Sequence, residues 1–167
     1  MFKNNEKTKI LIYLGENMRK FEIVKDEAIE YGEKDIIMPK RATKNSAGYD
    51  ICSPTDIVIP AGGIVTVWTN LKACCNEDEF ILLCVRSSLG RKDICLANDI
   101  GVIDGDYYSN PSNDGNIGVA LKNRGTKDFQ IHKNDKIAQI IFVPYLKVDN
   151  EEEVNSTRSG GYGSTNK

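Results

Sequence analysis

The sequence predicts an all-β domain, built as a barrel or a sandwich. Short runs of alternating or β-branched residues recur along the chain, and Gly, Pro, Asn and Asp interrupt them. Strands of this length and spacing are typical of closed or two-layered β architectures. The 167 residues suit one domain, which is large enough to bury a core without disulfides or a structural metal.

Turn signals separate the strand-like runs. PAGG at 60–63 and HKND at 132–135 are predicted tight turns, and Asn134 tolerates a left-handed backbone better than most residues. SNPSNDGN at 109–116 is a longer polar loop. The predicted strands lie in KILIYL (9–14), DIVIPAGGIVTVWTNLKACC (56–75), EFILLCV (79–85), NIGVALKN (116–123), DFQIHKND (128–135) and KIAQIIFVPYL (136–146).

Two segments depart from this strand pattern. MRKFEIVKDEAIEYG at 18–32 has apolar residues at helix-like spacing, so we expect a short helical excursion there. Residues 150–167 carry an acidic run followed by small residues and glycines, which cannot supply a core, so we expect a mobile arm. The predicted organisation is a β domain over 1–149, with 1–38 as an extended N-terminal segment, and then this arm.

Composition limits the partners and the compartment. Lys plus Arg number 22 against 24 Asp plus Glu, so no basic excess attracts a nucleic-acid polymer, whereas a single nucleotide carried with a metal ion fits. MFKNNEKTK and the short apolar run after it fit neither a signal peptide nor a membrane span. The five cysteines lack C-x-x-C spacing and are expected to be free thiols in the cytoplasm.

Two aspartates in NDIGVIDGDY (98–107) are candidates for chemistry. If the strand in GVI continues, Asp104 and Asp106 share one face, where they could hold a divalent cation or activate a water molecule. Alternatively, Asp104 and Gly105 form the turn of a hairpin. This stretch alone leaves both interpretations open.

Two further segments offer groups that suit anions. RSSLGRK (86–92) follows an apolar strand and presents an arginine and two hydroxyls to phosphate oxygens, although an ordinary turn has the same composition. RSGGYGST (158–165) combines an arginine, glycines and an aromatic ring, which suits an anion and a planar base; a low-complexity terminus without function is the alternative. His132 is expected on the surface, because no nucleophile pattern surrounds it.

Taken in order, five segments resemble the five motifs of the trimeric dUTP diphosphatases, or dUTPases. The resemblance covers residues 39–167 with nearly the family's spacing, and five motifs in sequence are far more specific than any one of them. The segments are PKRATKNSAGYDI (39–51), RSSLGRK (86–92), ANDIGVIDGDYY (97–108), HKNDKIAQIIFVP (132–144) and RSGGYGSTNK (158–167).

The resemblance implies a jelly-roll-like β-barrel and the hydrolysis of dUTP to dUMP and pyrophosphate. Asp104 matches the aspartate that orients and deprotonates the water attacking the α-phosphate. Tyr107 matches the tyrosine that lies against the deoxyribose and leaves no room for a 2′-hydroxyl. Asn98 matches the asparagine that contacts uracil. Backbone groups that imitate a base-pairing partner in the family correspond here to those of Gly101, Val102 and Ile103.

The other motifs match positions around the phosphates. Gln139 resembles the glutamine near the phosphates and the attacking water, and is the second predicted catalytic residue. Asp50 resembles an aspartate that supports the water shell of Mg²⁺ without binding the metal directly. The phosphate-binding segment of the second motif corresponds to Arg86, Ser87 and Ser88. The arm that closes over the γ-phosphate, with a tyrosine to stack on uracil, corresponds to Arg158, Gly160, Gly161, Tyr162, Gly163, Ser164 and Thr165.

Three chains build each site in this family, so the resemblance implies a homotrimer with Mg²⁺ bound mainly through triphosphate oxygens. The chain departs from the family in its longer loop after Tyr107, its shorter R-S-G-G-Y arm and its longer N-terminal segment. Two alternatives stay open. One is a regulatory protein that keeps the nucleotide pocket to signal to a partner protein. The other is a homologous dCTP deaminase, although NIGVALKN lacks the glutamate which that chemistry needs.

Overall fold

A computed structural model describes residues 18–154 and residue 160 of the chain. The strand-like run at 9–14 lies outside these residues. A short helix, α1 (Ser87–Gly90), and two 3₁₀ turns (Asp26–Ala28 and Gly105–Tyr107) interrupt the strands. The strands of the described residues are β1 (Lys20–Ile23), β2 (Lys40–Arg41), β3 (Tyr49–Cys52), β4 (Ile57–Ile59), β5 (Ile64–Trp68), β6 (Leu71–Cys74), β7 (Glu79–Val85), β8 (Ile94–Leu96), β9 (Gly101–Ile103), β10 (Gly118–Asn123), β11 (Phe129–Ile131) and β12 (Lys136–Pro144).

Antiparallel pairing assembles these strands into four sheets within the described part of the chain. The largest sheet has the order β2-β3-β12-β7-β9, and a second has the order β5-β10-β8. Two further pairs are β1 with β6 and β4 with β11. The prediction of an all-β domain is therefore confirmed, and EFILLCV coincides with β7.

Alternation along the strands places the core between the sheets. In β7, Ile81 and Leu83 are 0% and 3% exposed, whereas Leu82 between them is only half-buried. Such a period of two is what a strand with one buried face requires. Ile140 of β12 and Leu121 of β10 join the same cluster, so residues from different sheets share one core.

The turn predicted at HKND is confirmed by the backbone. Asn134 has a φ of 72°, which lies in the left-handed region that asparagine tolerates. The peptide N–H of Asp135 donates to the carbonyl of His132 over 3.0 Å and closes this turn. His132 is exposed, as predicted.

The helix predicted over 18–32 is wrong for most of that range. Residues 20–23 form β1 instead, which pairs with β6 in the register Lys20 to Cys74, and a 3₁₀ turn at 26–28 is the helical part. The apolar spacing suited a helix, but pairing with β6 satisfies the backbone of this segment and packs Phe21 against the core. Tertiary pairing overrides local propensity here.

The polar loop at 109–116 folds against the N-terminal segment. Asn116 is 1% exposed; its side-chain amide donates to the carbonyl of Ala28 over 2.9 Å and accepts from the N–H of Asn70 over 2.9 Å. The Asn70 side chain in turn donates to the carbonyl of Glu30 over 3.0 Å. The lengthened loop and the N-terminal segment thus hold each other in place.

A buried ion pair strengthens this junction. The Asp114 carboxylate lies 2.8 Å from the Lys72 ammonium, and both side chains are more than nine-tenths buried. The backbone N–H of Lys25 also donates to Asp114 over 2.8 Å. Burial by itself raises the pKa of Asp114, but the hydrogen bonds from Lys72 and Lys25 outweigh it and hold this pKa below its ordinary value.

Replacing Asp114 with asparagine is expected to lower the free energy of unfolding by about 1–3 kcal/mol at neutral pH, because Lys72 stays buried without its counter-charge. A carboxylate whose folded pKa is depressed stabilises the fold above its unfolded pKa and loses this effect as the pH falls through the folded pKa. The gap between wild type and Asp114→Asn should therefore close in acid. Urea unfolding at fixed protein concentration and several pH values measures it.

Asp26→Asn is the matched control, since the Asp26 pair with Lys34 has side chains that are 77% and 65% exposed. Its expected effect is below about 0.5 kcal/mol. A gap between wild type and Asp114→Asn that stayed constant from neutral to acidic pH would contradict the role given to the buried pair.

Candidate functional site

A small cavity of about 210 Å³ lies where β9 passes β8 and β10. Tyr107, which is 8% exposed, forms part of its wall, and Asn98 lies at its rim. Ligand pockets for whole drug-sized molecules measure roughly 300–1,000 Å³, so this cavity suits a single ring with part of a sugar. The residues that line it are Leu83, Leu96, Asn98, Gly101, Val102, Ile103, Asp104, Tyr107, Ile117, Gly118 and Ala120.

Two of the residues that line the cavity are glycines, and neighbouring side chains approach their backbones closely. Gly101 pairs with Leu83 across β9 and β7, and a Cβ on Gly101 would lie 3.0 Å from the Leu83 Cβ. A Cβ on Gly118 would lie 2.9 Å from the Trp68 ring. The bare backbone of these strands therefore forms part of the wall, which leaves peptide groups within reach of a ligand.

Strand β9 ends at Ile103, which excludes both of the arrangements predicted for the two aspartates. Asp104 precedes a 3₁₀ turn at 105–107 that contains Asp106, so the two carboxylates do not share one face of a strand, nor do they form a two-residue hairpin turn. Both side chains are exposed and border a second, larger groove of about 780 Å³. Asp104 and Val102 line both spaces, so Asp104 lies where the small cavity meets the groove.

The larger groove is mainly acidic. Asp104, Asp106, Glu77 and Glu79 border it, and so does Lys147. Arg19 engages Glu79 through hydrogen bonds of 2.7 and 2.9 Å, and this contact lowers the pKa of Glu79. A polyanionic ligand placed in this groove therefore needs additional cations to balance the carboxylates.

Cys75 also borders the groove, and it is the obvious candidate for a competing nucleophile. Burial raises the pKa of its thiol, and the Sγ atom donates to the carbonyl of Glu79 over 3.3 Å. A neutral thiol is a weak nucleophile, because the thiolate is the reactive form. A water molecule beside Asp104 is the better candidate for attack in this groove.

A second group of predicted residues gathers at the junction of β3, β12 and β7. Asp50 of β3 lies opposite Gln139 of β12, and its oxygens lie 3.2 Å from Arg86 and 2.8 Å from Lys136. A Cβ on Gly48 would lie 3.1 Å from the Gln139 side-chain carbon, so this glycine makes room for the amide. Arg86 and Lys136 carry the positive charge of this cluster, which suits phosphate oxygens.

The two groups lie far apart in one chain. Ile103 pairs with Ile81, so Asp104 lies near the level of Phe80, six positions along β7 from Arg86. At about 3.3 Å per residue this separation is roughly 20 Å, longer than a triphosphate can bridge. Arg86 is therefore too far from Asp104 of the same chain to act on the same phosphates.

The remaining predicted residues lie in two places. Ser87 and Ser88 start α1, directly after Arg86, and both are exposed. Gly160 of the arm is described and buried. Five of the other arm residues, Gly161, Tyr162, Gly163, Ser164 and Thr165, fall outside the described part of the chain, as does Arg158.

Sequence reasoning missed several residues that complete the site. Lys136 begins β12 and forms an ion pair with Asp50. Its position three residues before Gln139 in KIAQ was the sequence signal that could have placed it in the site. Asn113 and Asn116 contact the Tyr107 hydroxyl from the polar loop, which composition marks only as a turn. Gly118 of β10 lines the cavity, although the sequence of this strand contains no signal of a binding site.

Within the described residues, His, Cys, Asp and Glu side chains form no group of three that could hold a metal ion. Over the same part of the chain, no helix has the length and apolar character needed to cross a membrane.

Known proteins share this sequence and fold. A family model described as dUTPase matches residues 34–166. The deoxyuridine 5'-triphosphate nucleotidohydrolase of Lactococcus lactis subsp. lactis is 37% identical over 150 residues, which cover 89% of this chain and 97% of that protein. The corresponding protein of Neisseria gonorrhoeae is 37% identical over 136 residues, covering 77% of this chain and 87% of that protein.

Solved structures agree with these matches. The crystal structure of dUTPase from Streptococcus mutans is 37% identical, with a TM-score of 0.71 over 79% of this chain and 100% of that one. A dUTPase from phage phi11 of S. aureus, reported with a structural Mg(II) ion, has 22% identity and a TM-score of 0.63 over 84% of this chain and 100% of that one, and shows the fold alone. Because the family model spans most of the sequence and the bacterial relatives exceed 30% identity over most of their own lengths, this chain belongs to the dUTPase family.

Proposed function

We propose that this chain hydrolyses dUTP to dUMP and pyrophosphate, with Asp104 as the general base. The observation that carries the mechanism is the position of Asp104 between a cavity that fits one ring and a groove open enough for a phosphate chain. A nucleotide whose base and sugar fill the cavity would present its first phosphate at this boundary. Membership of the dUTPase family supports this substrate and reaction.

The cavity suits the uracil and deoxyribose end of the substrate. Asn98 and the backbone of Gly101, Val102 and Ile103 would hydrogen-bond the base, because these residues line the cavity. A pocket fitted to uracil rejects the methyl group of thymine by overpacking, and leaves polar groups unpaired against cytosine. Tyr107 would lie against the sugar and exclude a 2′-hydroxyl.

In the chemical step, Asp104 accepts a proton from a water molecule whose oxygen attacks the α-phosphorus. The bond between the α-phosphorus and the bridging oxygen breaks, and pyrophosphate leaves with that oxygen and the bonding electrons. Gln139 would orient the water and the phosphates from another subunit, since it lies beside Asp50 and Arg86 rather than near Asp104.

The assembly that fits these distances is a homotrimer with shared sites. Among the described residues that line the acidic groove beside Asp104, Lys147 is the one cation against four carboxylates, whereas Arg86 and Lys136 offer two more cations at the far end of β7. A neighbouring copy would bring its Arg86, Ser87 and Ser88 to the groove. Opposite charge on the two surfaces favours this contact.

Magnesium is the proposed cofactor, and it would enter bound to the substrate. Asp50 is engaged by Arg86 and Lys136, so its oxygens are already neutralised and its proposed contact to the metal is limited to one through water. Single exposed carboxylates such as Asp104 and Asp106 fit the outer side of a water shell. Bound Mg²⁺ would offset charge on the phosphates and on the leaving pyrophosphate.

The proposed arm at 150–167 would close over the nucleotide from a further subunit, with Tyr162 on uracil and Arg158 at the γ-phosphate. The chain leaves the domain beside the groove, because Tyr145 binds the carbonyls of Glu77 and Asp78 and Lys147 lines the groove itself. The proposed location is the cytoplasm, which the five free cysteines support.

Replacing Asp104 with asparagine is expected to slow turnover of dUTP at least about 100-fold while changing nucleotide affinity only a few-fold, because the base is lost but the cavity is kept. Pyrophosphate release with Mg²⁺ gives the rate, and calorimetric titration with a non-hydrolysable dUTP analogue gives the affinity. Near-normal turnover would remove Asp104 from its assigned role.

Assaying dCTP, dTTP and UTP in parallel separates a hydrolase from a deaminase and from a silent binder.

Mixing two inactive variants tests whether sites are shared. Asp104→Asn and Arg86→Ala are each expected to be inactive alone. Unfolded together and refolded at equal amounts, they should regain about a quarter of wild-type activity, since a random mixture of subunits completes that share of sites. Activity that stays at the level of the separate variants in mixed trimers would show that each site belongs to one chain.

Ending the chain after Asn155 is expected to lower the rate by at least about tenfold, because the arm that encloses the nucleotide is missing. The melting temperature should change by less than about 3 °C, because the arm supplies no core. Differential scanning calorimetry beside the pyrophosphate assay checks both. A large cooperative loss of stability would instead assign the arm to the folded core.

A further inference from the structure

The loop that follows Tyr107 makes hydrogen bonds with both the side-chain hydroxyl and the backbone carbonyl of this residue. Its hydroxyl donates to the carbonyl of Asn116 over 2.7 Å and accepts from the Asn113 Nδ2 over 2.9 Å. Its own carbonyl accepts from the Asn110 Nδ2 over 2.9 Å. The aromatic ring that borders the small cavity therefore has a position defined by hydrogen bonds as well as by packing.

Asn113 is the centre of this arrangement. Its Nδ2 donates to Tyr107 and, over 3.2 Å, to the carbonyl of Asn116. Its Oδ1 accepts from Asn110 over 2.8 Å and from the N–H of Gly115 over 3.2 Å. Turning the amide over would set two oxygens against each other, so the surrounding groups fix its orientation.

The rest of the loop is too well anchored to follow a displaced tyrosine. Asp114 is bound by Lys72, and Asn116 by Asn70 and Ala28. Gly115 has a φ of 79°, and a Cβ there would lie 2.8 Å from the Tyr107 carbonyl oxygen. The backbone at Gly115 therefore packs directly against the backbone of Tyr107, with no room for a side chain between them. Losing the contact from Asn113 would leave the Tyr107 hydroxyl with its hydrogen bond to the Asn116 carbonyl, so the ring would lose one of two fixed contacts and could tilt about the other, while its supports stay in place.

We propose that Asn113 is a positioning residue that sets the discrimination between deoxyribose and ribose by holding the Tyr107 ring. This inference rests on the proposed place of Tyr107 against the sugar. Excluding a hydroxyl requires the ring to stay within a fraction of an ångström of one position, because the group to be rejected is a single oxygen atom. A ring that can tilt admits the ribose, while deoxyribose fits either way.

The test is the ratio of kcat/KM for dUTP to kcat/KM for UTP, measured by pyrophosphate release from the full chain with Mg²⁺. Asn113→Ala is expected to lower this ratio about tenfold, mainly through faster turnover of UTP, with the value for dUTP within about threefold of wild type. Asn113→Asp keeps the acceptor for Asn110 and Gly115 but cannot donate to Tyr107, so it should lower the ratio similarly.

Ser112→Ala is the matched control in the same loop, because its hydroxyl donates to the side chain of Asn110 over 2.7 Å. Its ratio should equal that of wild type. If the Asn113 variants lose activity equally toward both nucleotides, or keep the wild-type ratio, Asn113 is merely structural and the inference fails.

Tyr107→Phe and Tyr107→Leu separate this failure from a failure of the site assignment. A ratio that drops in Tyr107→Phe but not in the Asn113 variants rejects the positioning role alone. A ratio unchanged in both Tyr107→Phe and the Asn113 variants also rejects the positioning role, because phenylalanine keeps the ring. A ratio unchanged in Tyr107→Leu, which removes the ring, rejects the placement of Tyr107 against the sugar, while hydrolysis of dUTP by the wild type would still stand.

Discussion

The antiparallel register between β7 and β9 is the constraint on which the site depends. Pairing of Gly101 with Leu83 and of Ile103 with Ile81 carries Asp104 to the beginning of β7, whereas Arg86 follows its end. A rigid strand thus separates the carboxylate from the cations. The candidate residues of one chain therefore form two separate groups, which assembly would join under the proposed function.

The charged residues of the two groups differ in sign. The groove at Asp104 is rich in carboxylates, and the cluster at Asp50 is rich in cations. Each surface carries an excess of charge of one sign, which favours contact with a surface of the other sign. A triphosphate between them would be balanced by arginine, lysine and Mg²⁺ while its first phosphate stays beside Asp104.

The junction between the loop at 109–116 and the N-terminal segment is held by hydrogen bonds and a buried ion pair, whereas the core is held by apolar packing. A buried ion pair such as Lys72 with Asp114 seldom stabilises a fold more than apolar packing would, because both charges lose water. Its directional contacts do specify one arrangement of the loop. The N-terminal segment, the loop at 109–116 and Tyr107 are consequently placed together rather than independently.

The sequence by itself determined the local features whose cause is local. EFILLCV alternates and is β7, Asn134 turns where its side chain permits a positive φ, and the motifs around Asp104 and Gln139 indicate the family. Only the tertiary structure decided that residues 20–23 form a strand, because the partner strand β6 lies about fifty residues away in the sequence. The same holds for Lys136 beside Asp50 and for Asn116 on the Ala28 carbonyl. Such contacts depend on how distant segments meet, and no pattern within one segment encodes them.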